Sequence, residues 1–255
     1  MKDYFKKKHV LLFLDYDGTL APIAETPDQA RLDNKTRDIL ERLAGHSDCR
    51  VAIVSGRGLP DIRSRVGLKH ITYVGNHGLE IFGPKIYFES ARLDRTRKTF
   101  RDIINNLRLH SQDLKGIFFE DKGATLSIHY RMVEVKKLKY LEKIFYQVVD
   151  PYVISKAVKV FKGKKVYEIR PPVEWNKGHA ALWLLKEFQA ELRHKDFVAV
   201  YIGDDQTDED AFEVLRDMAL TIHVGNLRKS KAKYYLNNAE EVKALLGIIL
   251  LAKES

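Results

Sequence analysis

The sequence predicts an α/β protein whose Rossmann-like core of parallel strands is interrupted by an inserted α+β domain. Two observations support this prediction. Short apolar runs alternate with helix-compatible stretches near both ends of the chain, and each apolar run ends in a polar loop. Between them the order changes to helix, strand and strand, which occurs twice. At 255 residues the chain is long enough for a sizeable core with a second module.

The first strand is predicted at residues 10–14, five apolar residues without helical spacing that lead directly into Asp15, Asp17, a glycine and Thr19. This pattern is typical of a buried parallel strand that opens into a polar loop. Side chains two positions apart in an extended chain project to the same side, so both carboxylates face the space beyond the strand. Such a pair needs a bridging cation, or one carboxyl that keeps its proton. The alternative is a simple turn, which Asp and Gly also favour.

The next elements continue the alternation of helix and strand. We predict helices at 33–44 and 60–66 and strands at 51–54 and 71–74. These strands end in Ser55-Gly-Arg57 and in Gly75-Asn76-His77-Gly78. Because crossovers between parallel strands are right-handed, the loops at the strands' carboxyl ends meet on one edge of the sheet. Ser55 is then expected at the same edge as Asp15, although Ser-Gly-Arg is also ordinary turn chemistry.

The middle of the chain is predicted to be a separate module. Helical stretches at 91–110 and 134–149 alternate with probable hairpins at 116–131 and 152–170. We therefore assign residues 1–82 and 174–255 to a discontinuous core, and residues 83–173 to the insert. The insert holds 20 Lys or Arg against 10 Asp or Glu, so it accounts for the net charge of +9. Without a basic helix, zinc spacing or stacking motif, this charge indicates a solvated surface with a few substrate-steering lysines, rather than a nucleic-acid interface.

The second half of the core begins at Asn176, which can cap a helix whose first turn contains Lys177. A strand at 197–202 then ends in a run of acidic residues that includes Asp204, Asp205 and Asp208. Another helix, a strand at 219–224 and a packed helix around 242–252 complete the core. Taken singly, Lys177 could be a surface lysine and the acidic run only a helix N-terminus, which the helix dipole favours. Together with Asp15 and Ser55 they form a set that suits phosphoryl transfer.

The composition limits the class of protein. Apolar residues make up 45% of the chain and charged residues 31%, as in globular proteins. The single cysteine, Cys49, excludes an internal disulfide and a thiolate metal cluster, which fits a reducing, cytoplasmic location. The apolar run before Asp15 is too short for a signal peptide, and the one at 242–252 is too short to span a membrane.

The whole motif set resembles one family. The stretches FLDYDGTLAPI, SGR, GNHGLE, EDKGATLSIHYR, EIRPPVEWNKG and YIGDDQTDEDAF are similar to the motifs of trehalose-6-phosphate phosphatases in the haloacid dehalogenase-like superfamily. The core motifs are common to that superfamily and specify phosphoryl transfer. The EDK, HYR, EIRP and TDEDAF stretches are particular to the trehalose phosphate branch. The resemblance covers nearly the whole chain and shows no departure at the expected catalytic positions.

The resemblance implies a role for each core residue. Asp15 would be the nucleophile that forms an aspartyl-phosphate, and Asp17 the general acid and then base. Mg²⁺ would be held by Asp15, the Asp17 carbonyl and Asp204, with Asp205 and Asp208 supporting that shell. Residues that would hold the phosphoryl oxygens are Thr19, Ser55 and Lys177. Further candidates for substrate binding are Arg57, Asn76 and His77.

In the insert the resemblance implies a cap that selects the sugar. Ser127, His129 and Arg131 alternate with apolar residues, so their strand has one polar face. Residues that would bind sugar hydroxyls are Glu120, Lys122, Arg131, Lys165 and Glu168. A solvated hairpin edge is the alternative for each of them. The substrate is then trehalose 6-phosphate, a trehalose-6-phosphate synthase is a candidate partner, and a monomer is expected.

Three other functions stay open at this point. A sucrose-phosphate or a mannosyl- or glucosyl-phosphoglycerate phosphatase would keep the chemistry and change the sugar. A phosphoacceptor signalling domain also uses an aspartate, a hydroxyl and a lysine around Mg²⁺, but the second aspartate and the large insert disfavour it. A non-catalytic regulatory homologue is disfavoured by the intact catalytic set.

Overall fold

The computed structural model describes residues 2–23, 29–90, 93–163, 165–193, 196–226 and 229–255. These residues form two compact units. The first combines the chain up to Phe88 with Trp175–Ser255, and the second is Glu89–Glu174. Among the described residues, no helix combines the length and apolar character needed to cross a membrane.

The first unit is built on an eight-stranded sheet. Its strands are β1 (His9–Leu14), β2 (Cys49–Val54), β3 (Thr72–Gly75), β4 (Glu80–Phe82), β5 (Tyr87–Glu89), β10 (Phe197–Gly203), β11 (Leu220–Val224) and β12 (Tyr234–Leu236). They lie in the order β12-β11-β10-β1-β2-β3-β4-β5. Strands β12 to β3 pair in parallel, and β4 runs antiparallel to β3. This arrangement confirms the predicted parallel α/β core.

Helices cover the sheet, and an apolar cluster lies on each of its faces. The helices of this unit are α1 (Lys2–Lys6), α2 (Asn34–Gly45), α3 (Leu59–Val66), α6 (Lys177–Leu192), α7 (Glu209–Val214) and α8 (Ala239–Lys253). Alternate residues of β1 enter the two clusters, with Leu12 and Leu14 in one and Leu11 and Phe13 in the other. Burial of both faces explains why β1 reads as a continuous apolar run rather than an alternating one.

The central strands place their polar ends side by side. Leu14, the last residue of β1, is in register with Ile53 of β2 and with Ile202 of β10. The backbone N–H of Asp15 donates to the carbonyl oxygen of Ile202 over 2.9 Å. The loops that begin at Asp15, Ser55 and Asp204 therefore leave the sheet at one edge, which we call the carboxyl edge.

Two features of this sheet were missed in the sequence. Strands β4, β5 and β12 are three residues each, too short to show a periodic pattern. Glu174, predicted in the core, belongs to the second unit, and the interval 83–88, predicted in the insert, belongs to the first unit. An aromatic contact holds this interval to the first unit, because the Phe88 ring stacks on Trp175 with centroids 4.8 Å apart. Residues far apart in sequence make that contact, so no local pattern reveals it.

The second unit has a four-stranded antiparallel sheet in the order β6-β7-β9-β8 and two helices. Its elements are α4 (Leu93–His110), β6 (Phe118–Asp121), β7 (Leu126–His129), α5 (Leu138–Ile154), β8 (Lys159–Gly163) and β9 (Val166–Arg170). One face of the sheet carries Leu126, Ile128 and Ile169 into an apolar cluster shared with both helices. The predicted order of helix, strand and strand is confirmed. The predicted start of the first helix at Ala91 lies outside the described residues.

The prediction of a strand from Tyr152 was wrong. Helix α5 passes through Pro151 and ends at Ile154, and β8 begins only at Lys159. A proline inside a helix removes one backbone donor and crowds the preceding turn, so helices often end before one. Here the helix continues because Tyr152, in its last turn, packs against the apolar cluster of this unit.

Candidate active site

The centre of the carboxyl edge is a buried ion pair. The Lys177 ammonium donates to Asp15 Oδ1 over 2.7 Å and to Asp208 Oδ1 over 3.0 Å. Its side chain is 2% exposed and that of Asp208 is 0% exposed. Asp205 Oδ1 lies 3.7 Å from the same nitrogen. The structure thus joins residues that the sequence separates by more than 150 positions.

The start of α6 explains why Lys177 points into this cluster. Asn176 caps the helix by accepting the backbone N–H of His179 over 3.0 Å, as the sequence predicts. Its amide nitrogen donates to Asp210 Oδ2 over 2.8 Å, which ties α6 to the first turn of α7. Lys177 follows directly as the first residue of α6, and its ammonium bonds to the carboxylate that follows β1 and to the one that precedes α7.

Asp208 has a hydrogen-bond donor for each of its lone-pair positions. Its Oδ1 accepts from Lys177 and from the Tyr201 hydroxyl, the latter over 2.8 Å. Its Oδ2 accepts from the backbone N–H groups of Asp204 and Asp205 over 3.2 and 3.1 Å. A carboxylate offers about four such positions. Asp208 therefore acts as a buried anchor between the acidic loop and Lys177.

The charges of the cluster shift one another's protonation. Burial raises the pKa of Asp15 well above its ordinary value, despite the opposing effect of Lys177. Burial, with the nearby charges of Asp208 and Asp205, raises the pKa of Asp204 to about 7. Burial alone would lower the pKa of Lys177, but the carboxylates around it hold that pKa well above its usual range. One ammonium thus serves several carboxylates that are reluctant to ionise together.

This imbalance suits a bound cation. Asp15, Asp204 and Asp208 each offer an oxygen within 4.8 Å of the others. Hard divalent cations prefer carboxylate oxygens and would lower the pKa of the acids around them. Because Asp208 already has four donors, Asp15 and Asp204 are the carboxylates with room for the cation. The donor set therefore fits a metal such as Mg²⁺.

The loop after Asp15 is shaped to approach Asp204. Gly18 has a φ of +88°, and a Cβ at this position would overlap the Asp204 carboxylate. Only glycine satisfies both requirements. Thr19, fully buried, donates to Asp204 Oδ1 over 3.5 Å. The structure thus brings Thr19 and Asp204 to the place that the sequence predicts.

Asp17 has a partner that the sequence did not indicate. Arg57 donates to both of its oxygens, from Nε to Oδ2 and from Nη2 to Oδ1, each over 2.6 Å. Arg57 also donates to Asp61 Oδ2 over 2.9 Å. Burial by itself would lower the pKa of Arg57, but these two carboxylates raise it above its ordinary value. Arg57, predicted to bind substrate, here holds the Asp17 carboxylate.

The loops after β2 and β3 carry Ser55, Asn76 and His77, and the loop after β10 carries Asp205. Ser55 is 1% exposed, and its hydroxyl accepts the backbone N–H of Arg57 over 3.1 Å. Asn76 is buried and its amide donates to Glu80 Oε2. His77 has a φ of 56° and donates its backbone N–H to the Ser55 carbonyl over 3.0 Å. Asp205 accepts from the N–H and hydroxyl of Thr207, over 2.8 and 2.7 Å, within the turn that leads to α7.

In the second unit, the predicted sugar-binding residues divide into two groups. Glu120 of β6 and Glu168 of β9 are both in register with Ser127 of β7, so they share one face, which we call the polar face. His129 Nε2 lies 2.8 Å from Glu120 Oε2, on the same face. The Lys122 ammonium is 3.8 Å from Glu120 Oε2, and Arg170 donates to Glu168 Oε2 over 2.8 Å.

The remaining two residues lie at the other end of β7. The N–H of Tyr130, just before Arg131, donates to the Lys165 carbonyl over 3.0 Å. Lys122 follows β6 at the opposite, hairpin end. Both Arg131 and Lys165 are exposed. The predicted set therefore spans the length of the sheet rather than forming one cluster.

Sequence reasoning missed Tyr201 and Asp61. Tyr201 carries the one side-chain hydroxyl in the β10 sequence FVAVYIG, and a polar group in a buried strand is a signal that could have been noticed. Asp61 is four residues after Arg57 at the start of α3, a spacing that favours an ion pair.

Known proteins are similar to this chain over most of its length. The family model for Trehalose-phosphatase matches residues 13–240. Trehalose-phosphate phosphatase B of Arabidopsis thaliana is 36% identical over 255 residues, and the match covers 94% of this chain and 66% of that protein. The crystal structure of a trehalose-6-phosphate phosphatase related protein superposes with a TM-score of 0.76 at 28% identity, covering 94% of this chain and 97% of the other.

A more distant structure has the same fold. A haloacid dehalogenase-like hydrolase from B. subtilis has a TM-score of 0.60 at 15% identity, over 93% of this chain and 98% of that one. The fold is therefore that of the haloacid dehalogenase-like hydrolases, as predicted. Within that class, the family match and the identity over most of the chain are decisive: the chain belongs to the trehalose-phosphatase family.

Proposed function

We propose that this protein is a Mg²⁺-dependent phosphatase that hydrolyses trehalose 6-phosphate to trehalose and phosphate through a phosphorylated Asp15. The observation that supports this most strongly is the buried Lys177, bonded to Asp15 at the end of β1 and to Asp208 at the start of α7. The Asp15 carboxylate and the Lys177 ammonium, which can neutralise phosphoryl oxygens, are both buried. Charges that are shielded from water stabilise a transition state more strongly than charges in water do. Family membership supplies the substrate class.

In the first step, a carboxylate oxygen of Asp15 attacks phosphorus and the bond from phosphorus to the sugar oxygen breaks. Asp17 gives a proton to that departing oxygen. Both Asp17 oxygens accept from Arg57, so Asp17 must release at least one of these bonds to reach the substrate. Thr19, Ser55 and Lys177 hold the phosphoryl oxygens during transfer.

In the second step, water attacks phosphorus and the bond to Asp15 breaks, which frees the carboxylate. Asp17 takes the proton of the attacking water, and phosphate leaves. Asp15, the Asp17 carbonyl and Asp204 would hold the cation, with Asp205 and Asp208 in support. When bound, Mg²⁺ supplies positive charge that stabilises the negative phosphoryl oxygens.

We propose that the second unit selects the sugar. The polar face offers carboxylates and cations at partly exposed positions, which suits hydrogen bonds to hydroxyl groups. Glu120, Lys122 and Glu168 on that face, with Arg131 and Lys165 at the far end of β7, are the candidates. Asn76 and His77 complete the proposed substrate contacts. Because one chain supplies every proposed residue, we expect the protein to act as a monomer. A trehalose-6-phosphate synthase, whose product would be the substrate, is the candidate partner.

The test is phosphate release from trehalose 6-phosphate beside sucrose 6-phosphate, mannosyl-phosphoglycerate and glucose 6-phosphate. We expect the highest kcat/KM for trehalose 6-phosphate, loss of activity in excess chelator, and recovery when Mg²⁺ is restored. A higher kcat/KM for another sugar phosphate would change the substrate and keep the chemistry. Full activity in excess chelator would remove the proposed metal, and stable phosphorylation without turnover would indicate a phosphoacceptor instead.

A further inference from the structure

Tyr201 brings a hydroxyl group into the interior of the first unit that no step of the proposed reaction uses. It lies in β10 and is fully buried. Its ring stacks near Phe13, with centroids 6.5 Å apart, and meets Phe212 edge-on at 5.7 Å. Phenylalanine would make the same apolar contacts. The hydroxyl, which costs free energy to bury unless it is hydrogen-bonded, therefore needs its own explanation.

That explanation is its contact with Asp208. The hydroxyl donates to Asp208 Oδ1 over 2.8 Å, and Lys177 donates to the same oxygen. Two backbone N–H groups of the acidic loop fix Oδ2. The carboxylate also packs against Gly203, where a Cβ would overlap it. Of the four donors to the Asp208 carboxylate, two are backbone N–H groups and one is the Tyr201 hydroxyl. The fourth is the Lys177 ammonium.

We propose that Tyr201 is a positioning residue, whose hydroxyl holds Oδ1 of Asp208 so that the Lys177 ammonium stays shared between Asp208 and Asp15. The inference rests on the proposed roles of Asp15 and Lys177. Without the hydroxyl, Asp208 Oδ1 retains Lys177 as its side-chain donor among the described contacts. A buried carboxylate with fewer donors attracts the ammonium more strongly, which draws it away from Asp15 and from the phosphoryl group.

The test compares two buried tyrosines that each lose only a hydroxyl. Tyr201→Phe removes the bond to Asp208. Tyr73→Phe is the matched control, because Tyr73 is buried in β3 and its hydroxyl donates to the Leu68 carbonyl over 2.7 Å. In Tyr201→Phe we expect kcat to fall about tenfold or more for both trehalose 6-phosphate and p-nitrophenyl phosphate. Tyr73→Phe should keep the wild-type kcat.

A second readout does not depend on turnover. Binding of inorganic phosphate, measured by calorimetry in Mg²⁺, should weaken about tenfold in Tyr201→Phe and stay unchanged in Tyr73→Phe. A purely structural role for Tyr201 would lower Tm and leave both kcat and phosphate binding at wild-type values. That result would overturn the inference. If Asp15→Asn were active, the proposed function would fail first, so the two failures are distinguishable.

A double variant keeps the inference falsifiable if Tyr201→Phe folds poorly. Tyr201 acts through Asp208, so Asp208→Asn and the combined Tyr201→Phe, Asp208→Asn variant should have the same kcat within about twofold. If the hydroxyl acted elsewhere, adding Tyr201→Phe would lower kcat about tenfold again. That independence would overturn the assignment.

Discussion

The charged groups of the carboxyl edge and those of the polar face differ in burial, and the difference separates two tasks. At the carboxyl edge, Lys177 and Asp208 are 2% and 0% exposed and their atoms are 3.0 Å apart. On the polar face, Lys122 and Glu120 are 15% and 35% exposed and 3.8 Å apart. Breaking a buried pair leaves a charge without water, whereas water replaces an exposed partner. Fixed geometry suits bond breaking, and replaceable contacts suit recognition of a sugar.

The strongest way to break this comparison is to remove the nucleophile. Asp15→Asn keeps the shape of the side chain, but its amide cannot accept a phosphoryl group. We expect kcat to fall by about four orders of magnitude or more for trehalose 6-phosphate and for p-nitrophenyl phosphate alike. The measurement is phosphate release, with circular dichroism to verify folding. Turnover above about one per cent of wild type in the folded variant would remove Asp15 from this role.

Lys177→Met should damage both rate and stability. The variant leaves Asp15 and Asp208 buried without their shared cation, so we expect the free energy of unfolding to fall by about 3–5 kcal/mol. Loss of charge next to the phosphoryl group should lower kcat about a hundredfold or more on both substrates. Urea unfolding and steady-state rates measure the two effects.

The matched control is Lys186→Met, an exposed lysine on the same helix. We expect its unfolding free energy and kcat to stay near wild type. Equal losses in the two variants would mean that removal of any lysine from α6 is harmful, and that the buried ion pair is not special.

Asp15 and Lys177 also show what the sequence could and could not predict. Asp15 lies at the end of an apolar run, and Asn176 marks the start of the helix with Lys177 in its first turn, so local patterns placed both at one edge. The bond from Tyr201 to Asp208 was not predicted, because it depends on which face of β10 meets α7. The Asp17–Arg57 pair joins two loops 40 residues apart, whose turn geometry no periodicity describes.

The second unit shows the same limit of sequence-based prediction. Alternation in the β7 sequence correctly placed Ser127 and His129 on the face of the sheet that points away from the apolar cluster. It could not show that Arg131 lies beyond the strand end, because the strand stops at His129. Helix α5 continues past Pro151 because Tyr152 packs against the apolar cluster of this unit, a contact that the local sequence pattern does not reveal. Local chemistry was thus predictable, while contacts between distant segments were not.

The polar face gives a smaller and more selective effect. Glu120→Ala or Glu168→Ala should lower kcat/KM for trehalose 6-phosphate by about one to two decades, since a hydrogen bond to a charged group contributes about 1.5–3 kcal/mol. The rate with p-nitrophenyl phosphate, which has no sugar, should fall far less. Glu142→Ala is the control, because this exposed carboxylate of α5 pairs with Lys162 over 3.0 Å. Equal losses on both substrates would show that the polar face does not read the sugar.

The smallest effect concerns an exposed carboxylate of the first unit. It tests whether the loss of stability on removing a charged side chain depends on its burial or only on its lying in this unit. Asp33 caps α2, and its Oδ2 accepts the N–H and the hydroxyl of Thr36 over 3.1 and 2.9 Å. Asp33→Ala should lower the unfolding free energy by about 1 kcal/mol at pH 7 and leave kcat unchanged. Asp38→Ala is the control, since that exposed carboxylate, 3.8 Å from Arg42, should matter less.

The pH dependence of this loss identifies its cause. The Thr36 hydrogen bonds lower the pKa of Asp33 from 3.8 to about 2. A carboxyl with a lowered pKa in the folded state stabilises the fold above its unfolded pKa, and that stabilisation is lost as pH falls toward the folded value. In urea unfolding, the difference between wild type and Asp33→Ala should therefore be constant from pH 7 to about pH 5 and shrink below about pH 4. A difference that stays constant down to pH 3 would mean that the charge on Asp33 contributes nothing, and that the cap acts only through the shape of its turn.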